Sequence, residues 1–186
     1  QNDTDVGPVI SEEQLKKIVE YIRIGVDEGA RLVTGGRQSR KKECAHGYFV
    51  EPTLFANVSK TMRIATEEIF GPVVCAISCI DLDDAIAIVN DVDFGLSAAI
   101  YSRDVNSTAR AERDLQTGIV YINASTIGAE IQLPFGGWKH SGSGHPEAGG
   151  RGGALEFYSR IKVIYRDYSG RLQRAQIDNE NEVIHR

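Results

Sequence analysis

The stretch "PVVCAISCI" (72–80) is apolar almost throughout and meets no charge until Asp81. It has the length of a strand, far short of a membrane helix, and it lacks the polar alternation of a strand with one wet face. A strand apolar on both sides is expected where helices cover both faces of a sheet, the arrangement of parallel sheets in α/β proteins. The flanking sequence agrees. Asp81 caps "DLDDAIAIVNDV" (81–92), in which Leu82, Ala85, Ile86 and Val89 form one apolar helical face. "LSAAIYS" (96–102) is a further strand, Asp104 caps a helix running to about Leu115, and Gly118 opens the strand "GIVYIN" (118–123). Upstream, Ser11 caps a helix carrying Leu15, Ile18, Val19, Ile22 and Val26, with Gln14 at the capping-box position and Gly29 as the stop. "RLVT" (31–34) is a short strand, and "YFVEPTLFANV" (48–58) is extended, with Pro52 confining it to an edge or a bend. Strands alternating with helices over short links predict an α/β fold of βαβ units around a parallel sheet.

Bulk properties narrow the function. A chain of 186 residues suits one domain, or one domain with an arm, and 41% hydrophobic residues are enough to pack a core. The net charge is −5, acids and bases are interleaved, and no basic block of the kind that binds nucleic acid occurs. No apolar run is long enough to span a membrane. Three cysteines, Cys44, Cys75 and Cys79, are an odd count that suits a reducing cytoplasm. The chain starts at Gln1 with no signal-peptide pattern and reads as beginning mid-protein.

Few residues offer chemistry of their own. Cys75 and Cys79 would lie about 13 Å apart along a strand, too far to share a metal, and read as core cysteines. Cys44 stands near His46 in "KKECAHG" (41–47), but a charged loop is a poor place to exclude water. His140 and His145 flank "SGSG" without an acid or thiol at ligand spacing, so they read as loop histidines and no metal site is expected. Residues 123–153 are dense in glycine, as where backbone closely approaches a ligand or another loop. Neither GxGxxG nor GxxxxGK[ST] occurs, so the chain holds no self-contained nucleotide site. In "TEEIFGPV" (66–73), adjacent acids run into Phe70 and the pair Gly71-Pro72. Taken alone, this could be an acidic turn before a buried strand.

Five motifs change the weighing. "GYFVEPTLF" (47–55), "EEIFGPV" (67–73), "FGLSAAIYS" (94–102), "GIVYIN" (118–123) and "PFGGWKHSGSG" (134–144) stand in the order and spacing of the aldehyde dehydrogenase superfamily. The chain resembles that family from "DVGPVIS" (5–11) to "IKVIYRDYSG" (161–170). The resemblance implies oxidation of a small-molecule aldehyde to the acid with NAD or NADP, through a cysteine thiohemiacetal and a thioester. It gives Glu68 the role of accepting hydrogen bonds from the nicotinamide ribose, and places Phe70 near the nicotinamide half of the cofactor. Ile127 and Phe135 match positions that commonly face substrate, although Phe135 reads equally well as a packing anchor for its loop. "NASTIGAEIQLPFGG" (123–137) and "DYSGRLQRAQID" (167–178) look like bacterial members acting on semialdehydes of small carboxylic acids.

The same resemblance sets limits. Pro146 stands where the family usually has an arginine. The family's nucleophilic cysteine, its general-base glutamate and its dinucleotide-binding domain lie upstream of the matched region. None of the three cysteines here matches the nucleophile's context, so no catalytic residue is assigned and the chain alone is expected to be inactive. Residues 1–158 correspond to a catalytic-type α/β domain and 159–186 to an oligomerisation arm. In that arm "IKVIYRDY" (161–168) would join a neighbouring subunit's sheet and make a homo-oligomer. Two other readings remain open: a relative with acylating or reductive chemistry, and a non-catalytic assembly module.

Overall fold

Helix α1 (Glu12–Asp27) begins at Ser11, whose extended backbone lets Oγ accept from the Gln14 N–H at 3.2 Å. It ends before Gly29, whose φ of +94° closes the helix in the left-handed region. Leu15, Ile18 and Ile22 line its buried face. Gly25 on that face lets the helix approach Ile64 and Phe55, because a Cβ there would crowd both side chains. These residues join Ala30, Val50, Val58 and Ile69 in one core, where Ile18 and Phe55 are fully buried. In the computed structural model the described residues are 5–41, 44, 46–128, 130–144, 146, 148–168 and 170.

The core lies against a three-stranded sheet of order β1-β2-β3. Strand β1 (Arg31–Thr34) pairs antiparallel with β2 (Thr53–Ala56), with a register shift between Leu32 and Thr34. Strand β2 pairs parallel with β3 (Val73–Cys75), and the single turn α2 (Arg63–Thr66) lies in the crossover. Pro52 precedes β2, a central strand, so it marks a bend and not an edge. The run 72–80 does not form a strand buried on both faces. Only Val73 to Cys75 pair, Val74 is 62% exposed and Ile80 93% exposed. The reason is position: β3 is an outer strand, and among the described residues no strand pairs with its far edge. Cys79 is exposed, which overturns its assignment to the core, whereas Cys75 is half-buried and its thiol reaches the Ile64 carbonyl. Burial pushes the Cys75 thiol up.

Beyond β3, Asp81 caps α3 (Leu82–Asn90) by accepting from the Asp84 N–H, and Asp104 caps α4 (Val105–Asp114) through the N–H groups of Asn106 and Ser107. Strands β5 (Ser97–Ile100) and β6 (Ile119–Ile122) pair in parallel from Ser97–Ile119 to Ile100–Ile122, with α4 as the crossover. This is the expected βαβ unit. Strands β4 (Phe94–Gly95) and β7 (Trp138–Lys139) form a separate antiparallel pair. The α/β class therefore holds, but the described strands make three small sheets and not one parallel sheet. The apolar face of α3 is only half covered, and none of its residues is buried.

The glycine-rich stretch uses its glycines for backbone-on-backbone packing. A side chain at Gly118 would strike the Gly136 carbonyl, and one at Gly149 would strike the carbonyl of Leu133. A π-helical turn (Gly150–Ala154) leads into α5 (Leu155–Phe157). After it, residues 159–168 carry no strand. Ile161, Tyr165 and Tyr168 are more than nine-tenths exposed, so the expected strand at 161–168 finds no partner among the described residues. His145 and the tail 171–186 lie outside the described residues.

The core predicts its own weak point. Phe55→Ala removes a fully buried ring, and should lower the unfolding free energy by about 3–5 kcal/mol, read from the urea midpoint of the 186-residue chain. A loss below about 1 kcal/mol would mean that the ring is not in a packed core.

Candidate functional site

One face of α1 holds the turn that follows α2. Residues 14, 17, 18 and 21 recur at the spacing that puts side chains in one stripe along a helix. Each meets a different part of residues 67–71. Gln14 Nε2 donates to the carbonyls of Ile69 (3.0 Å) and Phe70 (2.9 Å). Lys17 Nζ donates to the Glu68 carbonyl at 3.0 Å, and the Tyr21 hydroxyl donates to Glu67 Oε2 at 2.5 Å. Ile18 packs so closely on Gly71 that a Cβ there would meet its side chain at 2.5–2.7 Å. The Gln14 amide thus serves the turn, not the reciprocal capping box that its spacing from Ser11 predicts. Its partners matter because Phe70 has a φ of +55°, a left-handed conformation that costs a bulky residue about 1–3 kcal/mol. Two net hydrogen bonds of about 1 kcal/mol each offset that strain.

The two adjacent acids have opposite surroundings. Glu67 receives Arg63 in a two-point pair, Nε to Oε1 at 2.7 Å and Nη2 to Oε2 at 2.9 Å, besides the Tyr21 hydroxyl. The Arg63 hydrogen bonds, then that of Tyr21, hold the Glu67 carboxyl down to about 2. In return the Glu67 hydrogen bond raises the Tyr21 phenol, and the Lys17 and Arg63 cations stand 5.7 and 5.4 Å from the centre of its ring. Glu68 is held only by its main chain. Its carboxylate is exposed and has no hydrogen-bond or ion-pair partner among the described residues, and Phe70 beside it is 72% exposed. A turn fixed through its backbone therefore presents a free carboxylate and an open ring. Such a carboxylate can accept from two vicinal hydroxyls at once, and charge-assisted bonds of this kind are the stronger sort.

Glu68 opens onto a cleft of about 510 Å³ shared with Thr66, Glu67, Phe94, Thr117 and His140. The ring of His140 stands edge-on to that of Phe94 at 6.4 Å. Lys139 beside it has a φ of +52°, and its ammonium donates to the carbonyls of Asn90 and Val92 at the end of α3. Ile127 is 88% exposed and lines a different hollow of about 560 Å³ with Tyr121, Leu133 and Pro134. Phe135 lines neither hollow. Its N–H donates to the Ala148 carbonyl, and the residue is 38% exposed. The four residues marked from sequence are thus not gathered into one site, since the cleft and the hollow share no lining residue and Phe70 borders neither.

Gln14, Lys17, Tyr21 and Arg63 were missed from sequence, although the polar stripe beside the buried face of α1 was a signal for three of them. No hydrogen bond joins Cys44 to His46, and none of the three cysteines lines either space. Among the described residues no cluster of three histidine, cysteine or acidic side chains could hold a metal ion, and no helix is long and apolar enough to cross a membrane.

The lowered Glu67 value fixes a pH dependence. A depressed carboxyl adds stability that is complete above its unfolded value of 4.5 and is lost as pH falls through about 2. Glu67→Gln should therefore unfold more easily than the parent at pH 6, and the two should converge as pH approaches 2. Parallel denaturation curves keeping the same gap at both pH values would remove the ionised Glu67 from the lock.

Comparison with known proteins places this geometry. The profile of the aldehyde dehydrogenase family matches residues 1–164. An alpha-ketoglutarate semialdehyde dehydrogenase of Haloferax volcanii is 43% identical over 166 residues, covering 89% of this chain and 34% of that protein. A betaine aldehyde dehydrogenase of Mesorhizobium japonicum is 42% identical over 163 residues, covering 88% and 33%. The chain thus spans about a third of the length of the curated relatives it matches. Among solved structures, betaine aldehyde dehydrogenase from Staphylococcus aureus in complex with NAD+ superposes with a TM-score of 0.79 at 37% identity, covering 84% of this chain and 31% of that one. A 1-pyrroline-5-carboxylate dehydrogenase from Thermus with bound NAD gives 0.69 at 39% identity, covering 75% and 26%. Motif order, fold and profile converge, and the chain belongs to the aldehyde dehydrogenase family.

Proposed function

We propose that this chain supplies the nicotinamide-ribose clamp, part of the substrate wall and an assembly surface to an enzyme that oxidises an aldehyde to the carboxylic acid with NAD or NADP. The observation that carries it is the free Glu68 carboxylate on a turn attached to α1 at successive points. The donor set fits the group: an exposed carboxylate suits a pair of ribose hydroxyls, and an exposed ring beside it suits the flat face of a nicotinamide. The dinucleotide, when bound, supplies the hydride acceptor. Glu68 would fix the ribose, and Phe70 would limit how far the ring above it swings, which holds the geometry that transfer requires.

On this reading Ile127, in the apolar hollow by β6, faces the aldehyde, with Phe135 holding the loop behind it. The acyl group travels on a thiolate other than Cys44, Cys75 or Cys79, none of which lines the cleft or the hollow, so the chain by itself is inactive. A small semialdehyde is the favoured substrate class, supported by relatives that bear such names. Betaine aldehyde is the second reading, supported by relatives of nearly equal identity. Acylating or reductive chemistry remains a rival within the same fold. A cytoplasmic location belongs to the same proposal, supported by three free cysteines. So does the division into a catalytic-type domain at 1–158 and an arm at 159–186, in which the bare apolar residues of 161–168 meet a second copy.

Glu68→Gln in the intact enzyme tests the clamp. The hydride step, followed by single-turnover absorbance of the reduced cofactor, should slow about tenfold to a hundredfold, the worth of a charge-assisted hydrogen bond. The cofactor dissociation constant should move far less, because the adenine end is held elsewhere. An unchanged hydride step would remove Glu68 from the site. Deleting 159–186 tests the arm: light scattering should find the intact enzyme reduced to monomer or lost to precipitate, and an undisturbed oligomer would defeat the assignment.

A further inference from the structure

The neighbourhood of the clamp holds strong donors that its carboxylate does not receive. Arg63 lies on α2, one turn before Glu67 and five residues before Glu68, and consecutive Cα atoms are only about 3.8 Å apart. A guanidinium on so short and partly helical a tether has the reach to meet either carboxylate. In the structure it is wholly committed to Glu67, in a two-point pair that the Tyr21 hydroxyl completes from α1. The backbone is committed too: Glu67 is the residue at which the chain leaves α2, and its N–H bonds to the Arg63 carbonyl. Glu68 keeps an empty carboxylate five residues along the chain from a permanently charged cation that is paired with Glu67.

We infer that Glu67 is a positioning residue, a decoy carboxylate that with Tyr21 holds Arg63 away from Glu68 and so leaves the ribose acceptor free. This rests on the clamp reading above. Without Glu67, Arg63 would find Glu68 at the high effective concentration of a short tether, and an internal ion pair would compete with the cofactor's hydroxyls. The pairing of two acids in "TEEIFG" (66–71) then has a division of labour: the first takes the cation, the second takes the ligand.

The test uses the intact enzyme in three variants: Glu67→Gln, Glu67→Gln with Arg63→Met, and Glu68→Gln. The readouts are the single-turnover hydride rate and the cofactor dissociation constant, each at low and high salt. Glu67→Gln should slow the hydride step by roughly threefold to tenfold at low salt, the range of a favourable exposed ion pair, and the loss should shrink at 1 M salt. Removing the released cation should reverse it, so that the double variant returns to within about twofold of the parent. A merely structural lock predicts the opposite, because the double variant has lost both partners. A double variant as slow as or slower than Glu67→Gln overturns the inference, as does a Glu67→Gln enzyme with the parent's rate. If Glu68→Gln is itself without effect, the clamp reading has failed instead.

Discussion

The two hydrogens of one side-chain amide, that of Gln14, are shared between the consecutive carbonyls of Ile69 and Phe70, and this constraint sets where the turn after α2 stands. Phe70 occupies a backbone region that an isolated chain would leave, so the turn exists only while an outside donor compensates it. That donor lies on α1, whose adjoining face carries Leu15, Ile18 and Ile22 into the core, Ile18 meeting both the core and Gly71 of the turn. The packing that rotates the helix to bury those residues also rotates Gln14, Lys17 and Tyr21 onto the turn. Core and turn are thus held by neighbouring faces of one helix that share Ile18, and neither can be adjusted without the other.

Electrostatics then differentiates what the backbone has placed. Lys17 spends its ammonium on a carbonyl, and Arg63 spends its guanidinium on Glu67. Neither cation is spent on the Glu68 carboxylate. The arrangement costs little because Glu68 remains in water, where an unpaired charge carries no desolvation penalty. Ligand binding would bring that cost, and the hydroxyls of a ribose would meet it.

Much of the local architecture was legible because its signals are local. Ser11, Asp81 and Asp104 cap helices as their residue types require, Gly29 ends α1, and the run around α4 folds as a parallel βαβ unit. What failed depended on distant neighbours. The apolar run 72–80 records a need for cover but not which strand provides it, so Val74, Cys79 and Ile80 are exposed where burial was expected. Gln14 three residues after Ser11 is the same pattern whether the amide turns back to the cap or across to residue 70. Glu68 and Phe70 were marked through a family motif and not through physics, and the stripe on α1 that supports their turn was visible only once the turn lay against it. Ile127 and Phe135 are eight residues apart in one loop, but Ile127 lines the hollow by β6 whereas Phe135 is bridged to Ala148.

The bonds between α1 and the turn span 46 to 56 residues of chain, which has a kinetic meaning. Closing a loop of that size must precede any return from the contacts it makes, whereas β5 and β6 meet across a much shorter crossover. On the ribosome α1 emerges first and must wait for its counterpart, so the expected order of events puts the helix and the βαβ unit early and the turn late. The same ranking run backwards makes this turn an early casualty of partial unfolding. The turn would then come away from α1 while the helices still stood, and a probe at Phe70 would report melting before the circular dichroism changed.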